Sequence, residues 1–212
     1  RGLKTSGAGD VTFVGCAIEG NGKGQRSDSA SDHGFGTRFT GSKSTVTLSN
    51  CVVAGNVQTT GDRNQQRGGG VYADAIKKLV LDDVVFVTNG VPHSIAQGAV
   101  AAWGFVGSAL YAYNTPVEAR GCRFIGNNGV THRTYGSSVF LDGTCGGSAF
   151  VNCAFVGNQT TKFGTPYDSM SDYAAAFSMN LSSVDATVEF KNCTIAYNIA
   201  ASYMGSAGIG VV

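Results

Sequence analysis

The chain predicts an all-β fold, a right-handed parallel β-helix. Three observations predict it: a motif recurring six times with a period near 35 residues, apolar alternation with a period of two inside each copy, and a glycine-rich, charge-poor composition. Aligned on a cysteine, the copies are anchored at Cys16, Cys51, Val84, Cys122, Cys153 and Cys193, with spacings of 35, 33, 38, 31 and 40 residues. Five residues after each anchor stands an asparagine: Asn21, Asn56, Asn89, Asn127, Asn158 and Asn198. Two residues after it the side chain is large and apolar, as Ile18, Val53, Phe86, Phe124, Phe155 and Ile195.

Each copy opens with a strand. In the last one Val188, Phe190, Cys193 and Ile195 are apolar while Glu189, Lys191 and Thr194 between them are polar. The period of two skips at Asn192, so V-E-F-K reads as one strand and C-T-I as a second on a new face. Gly15, Asn50, Asp83, Gly121 and Asn152 occupy the same break, and these residue types tolerate the conformations of a corner. A third strand follows each loop as two small residues, an aliphatic one and an aromatic, for example Gly69-Gly70-Val71-Tyr72 and Ser108-Ala109-Leu110-Tyr111. Three short strands per copy describe one coil, and six coils stacked in parallel make a rod about 29 Å long at roughly 4.8 Å per coil.

The predicted organisation is one solenoid segment over residues 1–212, an excerpt of a longer chain, since it starts at Arg1 and both Leu3 and Ile209 fall in the third strand. Open solenoid ends imply flanking repeats or neighbouring copies stacking end to end. Four connections are long: Gly22 to Thr37, Val57 to Arg67, Gly90 to Val106 and Gln159 to Asp172. The third, with Ile95, Val100, Trp103 and Phe105, is apolar enough for a packed flap or short helix. Such insertions collect on one face of a solenoid and commonly carry binding to a glycan or protein receptor.

With 15 basic and 14 acidic residues, the net charge of +1 provides no field for nucleic acid, and no apolar run is long enough to insert in a membrane. The asparagine column predicts side-chain amides hydrogen-bonding from coil to coil. Three sequons compete for the glycan role, at Asn158, Asn180 and Asn192, with Asn180 favoured because the other two occupy repeat positions. Cys16, Cys51, Cys122, Cys153 and Cys193 point inward as small apolar side chains, and stacked pairs lie within disulfide range, with Cys145 outside the column as a further partner. Cys and His spacing predicts no metal site, and no motif calls for a cofactor. The one carboxylate pair with catalytic appeal is Asp82-Asp83, although Asp83 takes the corner filled elsewhere by Asn or Gly. His33, His93 and His132 fall in separate loops and read as surface residues. An outward threonine array of the kind that binds ice is broken, because Glu118, Glu189 and Arg123 interrupt the columns of Thr12, Thr47 and Thr194.

The motifs F-x-x-N (Phe86–Asn89, Phe124–Asn127, Phe155–Asn158) and Gly69-Gly70-Val71 resemble the repeats of the chlamydial polymorphic outer membrane proteins and of related surface and filament proteins. That resemblance covers the whole chain. It implies an extracellular or cell-surface setting and a non-enzymatic structural or adhesive role, with recognition by the loops between repeats. The alternative is a polysaccharide-active lyase or hydrolase, since pectate lyases and polygalacturonases share this architecture.

Overall fold

The computed structural model describes residues 2–7, 9–22, 33–41, 43–57, 66–91, 105–131, 137–162, 174–200 and 207–211. The chain is a parallel β-helix. Its first sheet stacks seven strands: Leu3–Ser6, Thr37–Thr40, Val71–Asp74, Leu110–Tyr113, Val139–Gly143, Phe177–Leu181 and Ile209–Val211. The second stacks Val11–Val14, Thr45–Ser49, Lys78–Asp82, Val117–Arg120, Ser148–Val151 and Val188–Lys191. The third stacks Ala17–Glu19, Val52–Ala54, Val85–Val87, Arg123–Ile125, Ala154–Val156 and Thr194–Ala196. Pairing in all three is parallel and in register with the repeat, so Phe86 lies beside Val53 and Phe124, and Leu81 beside Leu48 and Ala119.

The expectation of three strands per coil is corrected by a fourth, shorter sheet: Gln66–Arg67, Phe105–Val106, Asn128–Thr131, Gln159–Lys162 and Ile199–Ala200. The expected count of six is met on two faces only, the first sheet holding seven strands and the fourth five. Within the fourth sheet Phe105 meets Val130 antiparallel, while the other pairs are parallel. Gln66–Arg67 and Phe105–Val106 lead into first-sheet strands, whereas the other three members follow the asparagine corner. Phe105 thus belongs to a strand, and Ile95, Val100 and Trp103 lie outside the described residues.

Two corners hold the coil in shape. At the first, the residue before each anchor has positive φ: Gly15 (62°), Asn50 (51°), Asp83 (50°), Gly121 (63°), Asn152 (55°) and Asn192 (52°). At the second, four residues after the anchor, the same conformation recurs in Gly20 (64°), Gly55 (56°), Thr88 (52°), Gly126 (59°), Gly157 (63°) and Tyr197 (55°). One left-handed residue between two extended segments turns the strand onto a new face, which is why the apolar period skips there.

Inside, Phe86, Phe124 and Phe155 stack face to face with centroids 4.8 Å apart and planes within 6°. Val71, Leu110 and Val139 from the first sheet and Leu48, Leu81 and Phe150 from the second complete the same core, all fully buried. The small residues that open each first-sheet strand face the asparagines. A Cβ on Gly36 would lie 3.0 Å from the Asn56 Cγ, and one on Gly70 3.3 Å from the Asn89 Cγ. The two sequence marks of the repeat are therefore two sides of one contact.

Chain length varies little on one half of the coil and widely on the other. From the first-sheet strand to its asparagine takes 17 residues (Leu110 to Asn127) at the shortest and 21 (Phe177 to Asn198) at the longest. From the asparagine back to the register-equivalent first-sheet residue takes between 11 (Asn198 to Ile209) and 21 (Asn89 to Leu110). The long insertions thus join the rod at one edge, between the fourth sheet and the first, and the turn from the first sheet to the second varies by only a few residues.

Candidate functional site

The asparagines form a continuous ladder. Each side-chain Nδ2 donates to the Oδ1 of the next coil's asparagine, at 3.0 Å for Asn21 to Asn56, 2.9 Å to Asn89, 3.0 Å to Asn127, 3.1 Å to Asn158 and 2.9 Å to Asn198. The backbone N–H of each donates to that same oxygen at 2.9–3.2 Å. The second Nδ2 hydrogen goes to a carbonyl of the preceding coil, for example from Asn89 to Val53 at 2.8 Å and from Asn158 to Phe124 at 2.9 Å. Asn56, Asn89 and Asn127 therefore use both donors and both acceptor sites of the amide with at most 1% of the residue exposed, which leaves no capacity for a ligand. Asn158, also fully buried, is corrected as a glycan acceptor, because its Nδ2 is committed on both sides.

The cysteines do at the first corner what the asparagines do at the second. Each thiol lies within reach of carbonyls in its own and the preceding coil: Cys51 to Phe13 at 3.5 Å, Cys122 to Leu81 at 3.5 Å, Cys153 to Ala119 at 3.6 Å and Cys193 to Phe150 at 3.2 Å. All six cysteines are free thiols. Hydrogen bonding to Cys153 together with burial pushes the Cys122 thiol well up, and burial raises Cys145 to about 11, so both stay protonated and unreactive near neutrality. Cys145 is buried beside the column, its N-side neighbour in the previous coil being Thr115, whose N–H meets the sulfur at 3.5 Å.

A second aromatic stack runs along the outer side of the first sheet, where the side chains alternate with those of the core. His33, Tyr72, Tyr111 and Phe140 follow one another with centroids 4.7, 5.5 and 5.6 Å apart. The Arg38 guanidinium lies 5.4 Å above the Tyr72 ring and that of Arg67 5.1 Å from Tyr111. The Tyr111 hydroxyl donates to Asp142 Oδ2 at 2.5 Å, and Asn180 Nδ2 donates to Asp142 Oδ1 at 3.1 Å. Burial, then the neighbouring Asp74 carboxylate, pushes the Tyr72 phenol up to about 12, and burial drives Tyr111 higher. His33 is corrected from a surface residue to one 9% exposed in this stack, while His93 and His132 lie outside the described residues.

The carboxylate pair does not assemble a site. Asp82 is exposed at the end of its strand with Ser49 Oγ 3.4 Å away, and Asp83 turns the corner, its carboxylate lying over Gly121 of the next coil. Among the described residues no group of three His, Cys, Asp or Glu converges on a point. Asn180 is half-buried, its amide tied to Asp142, whereas Asn192 is exposed at a corner rather than committed as its repeat position suggested.

An open groove runs along the rod at the second corner. It encloses about 430 Å³ and is lined by Gly55, Thr88, Gly126 and Gly157 of the corner itself, with Asn89, Val57, Val91, Asn128 and Gln159 beyond it. The glycines at this corner carry the signal that the sequence offered for it: in four of six copies the residue before the asparagine has no side chain. No family model, curated protein or solved structure matches the chain.

Proposed function

We propose that the chain is a non-enzymatic, extracellular structural or adhesive segment of a larger surface protein or filament. The observation that carries this reading is the division of the coil: constant length from the second sheet through the two hydrogen-bonded corners to the asparagine, and the widest variation in length at the edge between the fourth and first sheets. A coil so divided is a rigid support on which connections change without disturbing the ladder. The extracellular setting rests on the resemblance of the F-x-x-N repeats, and flanking repeats or neighbouring copies stacked end to end are its axial partners.

The competing polysaccharide-active reading is tested with the same protein. Chain incubated with polygalacturonate and with neutral polysaccharides is expected to release no products, and Asp82→Ala and Asp83→Ala are expected to alter stability alone. Cleavage that disappears in either variant overturns the proposal. For adhesion, binding of the immobilised chain to cells is expected to fall when residues 92–104 and 163–173 are replaced by short Gly/Ser connections.

A further inference from the structure

The asparagine ladder leaves a row of backbone acceptors without partners among the described residues. At the second corner the N–H groups are used, Gly55 donating to Val87 O at 3.0 Å, Thr88 to Ile125 O at 3.1 Å, Gly126 to Val156 O at 3.0 Å and Gly157 to Ala196 O at 3.1 Å. The next N–H along the chain belongs to the asparagine, and it goes to the ladder oxygen instead of to a corner carbonyl. The carbonyl oxygens of Gly55, Thr88, Gly126 and Gly157 consequently accept no hydrogen bond from the described residues, and these four residues line the groove of about 430 Å³. The Thr88 hydroxyl and the Gln159 amide at its wall also have no protein partner among the described residues.

The chemistry of the groove selects its occupant. Among the described residues no charged side chain lines it, which favours a neutral ligand over a uronate or a phosphate. Four acceptors spread along a row, one per coil, do not converge as a cation cage requires. An apolar ligand would bury the carbonyls unpaired, which disfavours it. A peptide strand presents same-side N–H groups only every second residue, about 6.8 Å apart, against the coil spacing of about 4.8 Å. A linear chain of sugars carries hydroxyl donors along both edges and apolar ring faces, and a volume in this range holds several rings.

We propose that the second-corner groove binds a linear, neutral oligosaccharide lying along the rod axis, its hydroxyls donating to the carbonyl row and to Gln159. This deepens the adhesive reading and rests on it. Two glycines allow a clean test, because a Cβ at Gly126 meets only the Thr88 Cγ2 at 4.0 Å and one at Gly157 meets nothing within 4 Å. Asparagine tolerates the left-handed conformation, so the double variant Gly126→Asn/Gly157→Asn fills the groove while keeping the fold, which its thermal melt checks. Cello-, manno- and xylo-oligosaccharides of four to six sugars are titrated by calorimetry, with hexagalacturonate alongside. The expected result is binding of at least one neutral series, weakened about tenfold or more in the double variant and several-fold in Gln159→Ala, with hexagalacturonate inert. Undiminished binding by a folded double variant, or no binding of any neutral series, overturns the groove assignment. In either case adhesion of the full chain to cells is measured separately, so that its retention keeps the adhesive reading while the groove is rejected.

Discussion

The rod carries two columns of stacked rings, one inside and one outside, and they are held by different physics. Phe86, Phe124 and Phe155 stack inside at 4.8 Å among apolar neighbours, with no polar atom of their own to satisfy. Tyr72, Tyr111 and Phe140 stack outside at 5.5 and 5.6 Å, under Val106, with guanidinium groups over two rings and carboxylates on two hydroxyls. The inner column follows from the repeat, because any large apolar side chain two residues after an anchor points to the axis. The outer column depends on what covers it: Arg38 from the first sheet itself, and Arg67 and Val106 from the fourth-sheet strands in which two connections of unequal length end. Regularity therefore stabilises the interior, and the less regular edge helps to bury the exterior.

The largest effect that separates the two sides is expected at the ladder between them. Asn127→Ala strands the Asn89 N–H and one Asn89 amide hydrogen in the core and takes a donor from the Phe86 carbonyl, while the Asn158 oxygen keeps the backbone N–H of residue 127; unfolding stability should fall by about 2–6 kcal/mol in urea titrations, at about 1–3 kcal/mol for each of the two unpaired donors. Next comes Phe124→Ala, which opens a cavity between two rings and should cost about 3–5 kcal/mol. In the outer column Tyr111→Phe keeps the ring and removes only the hydroxyl bonded to Asp142. Its cost should be about 1–2 kcal/mol, because Asp142 retains Asn180.

Alkaline pH sharpens the contrast. The Tyr72 and Tyr111 phenols have folded-state values above the ordinary 10, so the folded protein holds protons that the unfolded chain releases. Their contribution is complete below pH 10 and is lost as pH rises toward the Tyr72 value of about 12. Melts between those limits should fall in the natural chain and flatten in Tyr72→Phe/Tyr111→Phe, while an inner-column substitution leaves the slope unchanged. The smallest effect belongs to the Lys78–Glu118 pair on the second sheet, at 2.8 Å with side chains 39% and 37% exposed. Glu118→Gln should shift stability by less than about 1 kcal/mol.

Much of the ladder side was legible in the sequence, and the reason is repetition. Asparagine, anchor and corner recur in each coil because each must fit the same neighbours above and below, and Val84 differs from the cysteines without loss of packing, being fully buried. The fourth sheet was not legible. Its strands at Gln66–Arg67 and Phe105–Val106 are two residues long and arrive after connections of unequal length, so no fixed offset from an anchor marks them. The outer stack was half legible, since Tyr72, Tyr111 and Phe140 were visible as an aromatic position, but nothing in the sequence said which way they face or what covers them. His33 was missed because it lies in a connection, its ring partner Tyr72 being fixed by the next coil. The groove was hidden by its own composition, because the glycines that shape it read as turn residues.

Residue-resolved amide hydrogen exchange across a denaturant series tests most directly the claim that the corners hold the rod and the connecting edge does not. The N–H groups of Asn56, Asn89, Asn127 and Asn158 should exchange only through global unfolding, with one common free energy and full denaturant dependence. Those of Arg67 and Val106 in the fourth sheet should exchange through smaller openings with weak dependence. Ladder amides that exchange ahead of the fourth-sheet strands would contradict the account.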